Sequence, residues 1–195
     1  MLDDVNHTWE HYFWTNEAKL IPETVKWFKD NGFIIKEIKD LPKHIYDPFM
    51  EELVTSYLQE RIGAVSDLIR FMVLYEYGGF YMDMDYFVRE FDNEILYYFD
   101  SIHTRDNYYI NTVFNTFGLL VAPYHQEIKV YLEILRQAHI ERGLKHVHMT
   151  SCFYRTKHIT FWDTGSFIIS AAFVKSIGMN QTQDAILGKI WEGDG

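Results

Sequence analysis

The chain has 195 residues, of which 48% are apolar, 17% aromatic and 24% charged. This length suffices for one hydrophobic core, so we expect residues 1–195 to form a single domain. The formal net charge of −10 disfavours a nucleic-acid backbone or an anionic membrane surface as the main partner.

Cysteine content and apolar runs bear on the compartment. Cys152 is the only cysteine, so an internal disulfide is excluded and a reducing compartment is favoured. Residues 1–10 are acidic and polar, unlike a secretory leader. The longest apolar runs, such as residues 167–174, are too short to cross a bilayer. We therefore expect a cytoplasmic protein without a transmembrane segment.

The beginning of the chain predicts a strand, a helix and a second strand. Residues 11–14 and 33–38 are strand-like, and the helix between them begins at Pro22 and is closed by Asn31 and Gly32. Elements in this order and at this spacing form a βαβ unit. We therefore expect parallel strands joined by a right-handed crossover.

The central stretch is residues 66–85, SDLIRFMVLYEYGGFYMDMD, which follows a loop over 40–48 and a predicted helix over 49–60. Apolar residues recur here at helical spacing, which predicts a helix with one buried face: Leu68, Ile69, Met72 and Val73. Asp67 and Arg70 are three apart on a different face. Both can therefore leave the core to meet a ligand or each other.

A glycine pair separates this helix from a short strand. Gly78 and Gly79 end the helix because glycine adopts left-handed backbone angles without steric cost. Residues 80–82 are apolar and predict an interior strand, with Asp83 and Asp85 at its carboxyl end. Side chains alternate along an extended chain, so both carboxylates point the same way, about 6 to 7 Å apart.

Two carboxylates in this arrangement indicate a cation site. Hard oxygen ligands select Mg²⁺, Mn²⁺ or Ca²⁺ over zinc, and Mg²⁺ or Mn²⁺ keeps positions for water and phosphate oxygens. Open α/β sheets bind ligands beyond the carboxyl ends of their strands, where Asp83 and Asp85 lie. A calcium loop over residues 83–94 is excluded because Val88 stands where that loop needs glycine. The stretch therefore predicts a metal and phosphate site.

The remaining elements are predicted in this order: a strand extension at residues 87–89, a short helix at 93–99, a loop at 103–107, one or two buried strands within 108–122, and helices at 125–142 and 167–176. His146 and His148 would share a strand face, but no third ligand stands at zinc spacing, so we interpret them as structural or solvated. Together the elements predict an α/β fold.

One ordered signature spans the helix, the glycine turn and the strand: Ser66-Asp67-x-x-Arg70, then Gly78-Gly79-x-Tyr81-x-Asp83-x-Asp85. It resembles the signature of the DXD-motif glycosyltransferases of the capsular-polysaccharide and outer-chain mannosyltransferase type. This family-32-like group shares the motif with the large glucosylating toxins. The resemblance implies a GT-A (Rossmann-like) fold with a mainly parallel central sheet flanked by helices. It also implies metal-dependent transfer with retention of anomeric configuration, and Mn²⁺ or Mg²⁺ as cofactor.

The same resemblance implies the substrates and the donor contacts. The donor would be a nucleotide-diphosphate sugar, with a UDP-sugar favoured over a GDP-sugar, and the acceptor a glycan or a protein. Trp14 would stack on the nucleotide base, and Tyr81 would flank the ribose. Ser66, Asp67 and Arg70 would hold the sugar and the diphosphate.

The Asp-x-Asp pair and a later strand would complete this site. Asp83 would contact the ribose or the sugar and reach the metal through water, while Asp85 would ligate the metal directly. Asn115 would supply a further donor contact, and Asn111 is the alternative if the register differs. No isolated nucleophile or base stands out. The catalytic candidates are Asp67, Arg70, Asp83 and Asp85.

The chain departs from the family's pattern in two places. Thr164 and Gly165 look like the beginning of its Thr-Gly-Pro motif, but Ser166 replaces the proline. Relatives also continue into a loop that closes over the donor. We therefore expect a truncation at the C-terminus, and two alternatives stay open: Trp191 and Glu192 are the remains of that loop, or the loop is absent.

Two other functions stay open on the residues alone. A phosphohydrolase would use Asp83 as nucleophile, since an apolar strand also precedes its Asp-x-Asp motif. Tyr86 and the glycine pair disfavour this alternative. A glycan- or nucleotide-binding module without turnover is the other alternative, motivated by the short C-terminus.

Overall fold

The computed structural model describes residues 9–84, 91–108, 111–142 and 164–177. In these ranges the strands are β1 (Tyr12–Thr15), β2 (Ile34–Glu37), β3 (Gly79–Met82), β4 (Ser101–Tyr108) and β5 (Asn111–Val121). The α-helices are α1 (Pro22–Asp30), α2 (Pro48–Glu60), α3 (Ile62–Tyr77), α4 (Gln126–Arg142) and α5 (Ser166–Ile177). The expected α/β class is confirmed. None of these helices is both long and apolar enough to span a membrane.

The predicted βαβ unit is confirmed by β1, α1 and β2. The two strands pair in parallel, with Trp14 opposite Lys36. α1 begins at Pro22, whose fixed φ suits the first helical position. It ends before Gly32, which has a φ of 84° and turns the chain into β2. Single-residue backbone preferences therefore delimit this unit.

β3, β4 and β5 form a separate antiparallel sheet in the order β3-β5-β4. Tyr81 of β3 lies opposite Leu119 of β5. Only residues 109 and 110 separate β4 from β5, which permits a hairpin but not a parallel crossover. The mainly parallel central sheet is therefore not confirmed, since β1 and β2 form the only parallel pair among the described strands.

The loop predicted at residues 103–107 is wrong, because these residues lie in β4. Their polar composition disfavours a strand locally, but β4 pairs with the long strand β5 on either side of a register shift. This tertiary pairing outweighs the weak strand propensity of Asp and Asn. The short helix predicted at 93–99 is a 3₁₀ helix, Asn93–Tyr97. Other predictions lie outside the described residues: 87–89, His146, His148, Cys152, Trp191 and Glu192.

α3 runs through the hydrophobic core, where it packs against α2, α4 and β3. Leu68 and Met72 of its predicted apolar face are fully buried, but Ile69 and Val73 are only half-buried. The buried surface extends instead around most of the helix, because neighbours cover it from several sides. Asp67 and Arg70 fall within this buried part, whereas the sequence places them on a face that leaves the core.

Ser101, His103 and Glu127 form a buried polar cluster where α4 meets the antiparallel sheet. Glu127 Oε2 lies 2.9 Å from Nε2 of His103 and accepts a hydrogen bond from Ser101 Oγ at 3.2 Å. Glu127 is only 1% exposed. The rings of Phe114 and Phe173 enclose the His103 ring, with centroids at 4.7 and 6.2 Å. The carboxyl group therefore depends on protein partners rather than on water.

Replacing Glu127 by alanine is expected to lower the free energy of unfolding by about 3 kcal/mol, since the buried His103 then loses its partner. Urea denaturation followed by circular dichroism measures this loss. Glu133→Ala, at an exposed position of the same helix, is the matched control and should change stability little. A loss below about 1 kcal/mol for Glu127→Ala would contradict the interpretation.

Candidate active site

The turn between α3 and β3 brings a helix face and a strand end together. Gly78 and Gly79 have φ values of 63° and 97°, which other residues rarely adopt. The N–H of Gly78 donates to the carbonyl oxygen of Leu74 at 2.9 Å and closes the helix. β3 then starts at once, and Tyr81 and Asp83 reach a side chain of α3. The predicted glycine turn is confirmed.

Arg70 is the centre of this arrangement and is only 6% exposed. Its Nη2 donates to Asp83 Oδ1 and Tyr81 Oη, both at 3.1 Å, and to Ser66 Oγ at 3.3 Å. Its Nη1 donates to the carbonyl oxygen of Thr116 in β5. The guanidinium carbon also lies 4.2 Å from the centroid of the Tyr81 ring. One planar cation thus joins α3, β3 and β5.

Asp67 is buried beside Arg70 and uses its two oxygens differently. Oδ1 lies 3.5 Å from Nη1 of Arg70, while Oδ2 accepts a hydrogen bond from Thr164 Oγ1 at 3.0 Å. Burial raises the pKa of Asp67 from 3.8 to about 6, although Arg70 and Thr164 lower it. Asp67 is therefore a carboxyl group that changes its charge near neutral pH.

Asp83 is the more accessible carboxylate, with its side chain 36% exposed. Tyr81 Oη donates to its Oδ1 at 2.7 Å, so Arg70 and Tyr81 share that oxygen. Burial raises the pKa of Tyr81, which keeps its hydroxyl protonated as a donor. Oδ2 of Asp83 has no hydrogen-bond partner within the described ranges. Such an oxygen suits a hard divalent cation or a water molecule bound to one.

The predicted second metal ligand, Asp85, lies outside the described residues. In the described parts of the chain, no three His, Cys, Asp or Glu side chains are grouped so that they could hold a metal ion. Of the predicted site residues, the structure brings together Ser66, Asp67, Arg70, Tyr81 and Asp83. The pairing of Asp83 with Asp85 stays a prediction.

Trp14 contacts the C-terminal end of α3, away from Arg70. It is half-buried on β1, and its ring centroid is 5.6 Å from that of Tyr77, the last residue of the helix. Tyr77 follows Arg70 by seven residues, or about two helical turns. Asn111 and Asn115 are both in β5, and their side chains lie outside the part that the structure describes.

Two partners in the site were not assigned these contacts from the sequence. The carbonyl oxygen of Thr116 accepts from Arg70, and no side-chain pattern signals such a backbone contact. Thr164 binds Asp67 from 97 positions away along the chain. Thr164 belongs to the stretch that resembles the Thr-Gly-Pro motif, but neither the motif nor the residue type indicates that Thr164 binds Asp67.

Asp67→Asn is expected to flatten the pH dependence of stability. Between pH 4 and 6 native Asp67 keeps a proton that the unfolded chain has released, so its contribution to stability falls as the pH rises. A difference of about two pKa units corresponds to about 3 kcal/mol. Urea denaturation from pH 4 to 7 should therefore give a shallower decline for the variant than for the wild type.

Asp100→Asn, at an exposed position, is the control for this measurement and should keep the wild-type slope. Parallel stability curves for wild type and Asp67→Asn would show that Asp67 is not a raised-pKa carboxyl group.

A glycine turn places Asp83, the first aspartate of the Asp-x-Asp sequence, against Asp67 and Arg70 of α3, and this arrangement defines a DXD-type site on an α/β fold. Residues 1–102 match the family described as glycosyltransferase sugar-binding region containing DXD motif. The chain belongs to this glycosyltransferase family.

Comparison with solved structures supports the fold. The PaToxG glycosyltransferase superposes with a TM-score of 0.56 at 15% sequence identity, covering 85% of this chain and 57% of that chain. The chain thus spans little more than half the length of that structure, and at this identity the similarity concerns the fold alone. No curated protein sequence matches the chain.

Proposed function

We propose that the chain is the catalytic domain of a metal-dependent, retaining glycosyltransferase of the capsular-polysaccharide and outer-chain mannosyltransferase type, with a GT-A fold. Its donor is a nucleotide-diphosphate sugar, a UDP-sugar in preference to a GDP-sugar, and its acceptor is a glycan or a protein. The observation that carries this proposal is the buried Arg70, which holds Asp67 and Asp83 together just beyond the end of β3.

The contacts support a different role in donor binding for each of the grouped side chains. Arg70 fixes Asp67 and Asp83, and it places a permanent positive charge in a protein of net charge −10. Oδ2 of Asp83 has no hydrogen-bond partner among the residues that the structure describes, and it can accept a hydrogen bond from a sugar or ribose hydroxyl. Ser66, half-buried on the same helix, can donate to the sugar or the diphosphate. Tyr81 holds Asp83 in place and flanks the ribose.

The outer parts of the site complete the proposal. Asp85 would ligate Mn²⁺ or Mg²⁺ directly, and Asp83 would reach the ion through water. When bound, the ion neutralises the negative charge that develops on the departing nucleoside diphosphate. Trp14 would stack on the base, and Asn115 would contact the donor.

The test is turnover of a panel of UDP- and GDP-sugars with Mn²⁺, Mg²⁺ or a chelator. We expect donor consumption that depends on the ion and falls about 100-fold or more in Asp85→Ala. Asp92→Asn, at an exposed position, is the matched control and should keep activity. NMR of the product's anomeric configuration tests retention.

The turnover assay, calorimetry and a phosphatase assay together distinguish the alternatives. Equal activity of wild type and Asp85→Ala would refute the metal-dependent mechanism. Calorimetric binding of a nucleotide sugar without its consumption would indicate a binding module. Release of phosphate from simple phosphate esters would indicate a phosphohydrolase.

A further inference from the structure

The two oxygens of the Asp67 carboxyl group have different neighbours: Oδ1 lies near Arg70, and Oδ2 is bound by Thr164. Its Oδ2 accepts from Thr164 Oγ1 at 3.0 Å, and this leaves Oδ1 on the side of Arg70. Thr164 is fully buried, so water cannot replace its hydroxyl. The direction of the carboxyl group therefore depends on where Thr164 sits.

Thr164 is in turn anchored by α4. The hydroxyl of Tyr131 donates to the carbonyl oxygen of Thr164 at 2.6 Å. Tyr131 is fully buried, and its ring centroid lies 4.0 Å from that of Phe71 on α3. A continuous series of contacts thus runs from Tyr131 through Thr164 and Asp67 to Arg70. It links α4, the segment before α5, and α3.

We propose that Thr164 and Tyr131 are positioning residues that orient the Asp67 carboxylate towards the sugar donor. The inference rests on the proposed function, because Asp67 is the group that would touch the donor. Thr164 supplies a fixed hydrogen-bond donor to one oxygen, which favours the ionised carboxylate and prevents its rotation. Tyr131 keeps Thr164 in register with Asp67.

The first test compares two substitutions of Thr164. Thr164→Val keeps the shape but removes the hydroxyl, and we expect the KM for the donor to rise about tenfold with a smaller change in kcat. Thr164→Ser keeps the hydroxyl and should stay within about threefold of the wild type. Tyr131→Phe keeps the packing on Phe71 and should shift KM in the same direction as Thr164→Val, but less.

Tyr57→Phe is the structural control. Tyr57 is equally buried, but its hydroxyl lies 2.5 Å from Nε2 of His139, a residue outside the proposed site. This variant should lower the melting temperature and leave the donor KM unchanged. If Thr164→Ser is as impaired as Thr164→Val, or if Thr164→Val lowers only the melting temperature, the positioning role is wrong.

A second readout does not depend on activity. Carboxyl NMR of Asp67 should show its pKa rising by about one unit in Thr164→Val, because the charged form loses a donor while Arg70, Asp83 and Thr116 stay in place. An unchanged pKa would overturn the inference. A wild-type protein that neither binds nor consumes nucleotide sugars would overturn the proposed function instead, and the titration distinguishes the two failures.

Discussion

Arg70→Lys is expected to reduce kcat/KM for sugar transfer about 100-fold or more, although it conserves the positive charge. The two terminal nitrogens of Arg70 have different partners. Nη1 reaches Asp67 and the carbonyl oxygen of Thr116, while Nη2 reaches Asp83 and two hydroxyl groups. A lysine has one ammonium group and cannot occupy both positions. Asp67 and Asp83 would then no longer be held in one geometry.

Steady-state kinetics with a saturating divalent ion measures this effect. Arg136→Lys is the matched control, because Arg136 is a partly exposed residue of α4 that donates to Asp47 at 2.6 Å, outside the site. Circular dichroism and melting temperature verify that both variants fold. If Arg70→Lys stays within about threefold of the wild type, the planar geometry of the guanidinium is not required.

Gly78→Ala is expected to lower the free energy of unfolding by about 3 kcal/mol or more. Gly78 has φ 63° and ψ −157°, a conformation essentially restricted to glycine. An added Cβ would also lie 2.6 Å from both the backbone nitrogen and Cδ of Pro123, and 3.0 Å from the carbonyl oxygen of Val121. These are backbone and ring atoms, so the clash cannot be relieved by rotating a side chain.

Gly79→Ala separates the two causes of this loss. Gly79 also has a positive φ, 97°, but an added Cβ would meet nothing within 4 Å. It should therefore incur backbone strain alone, about 1 to 2 kcal/mol, and urea denaturation should rank it clearly above Gly78→Ala in stability. Equal losses in the two variants would show that contact with Pro123 contributes nothing.

The parts of the fold that were predictable depend on local chemistry. The beginning of α1 follows from Pro22 and the end of α3 from Gly78, because the backbone preferences of proline and glycine act within one or two residues. The spacing of β1, α1 and β2 likewise suffices for a βαβ unit. The same local order explains why one signature located the residues that the structure groups: Ser66, Asp67, Arg70, Tyr81 and Asp83.

The wrong predictions concern residues whose structure or burial depends on partners far away in the sequence. Residues 103–107 are polar and read as a loop, yet pairing with β5 makes them a strand. Ile69 and Val73 belong to the apolar stripe but are the less buried side of α3. Asp67 and Arg70 were expected outside the core and are inside it, because each satisfies the other and Thr164 and Thr116 supply further contacts.

By itself, the sequence determined the helix, the glycine turn and the short strand before Asp83, and hence that Asp67, Arg70 and Asp83 can meet. Only the tertiary structure decided that this strand pairs antiparallel with β5, that the arginine is buried among its partners, and that Thr164 holds Asp67. The physical reason is the distance along the chain over which each effect acts. Periodicity and glycine geometry act over a few residues, whereas burial and hydrogen-bond partners depend on segments up to 97 positions apart that only folding brings into contact.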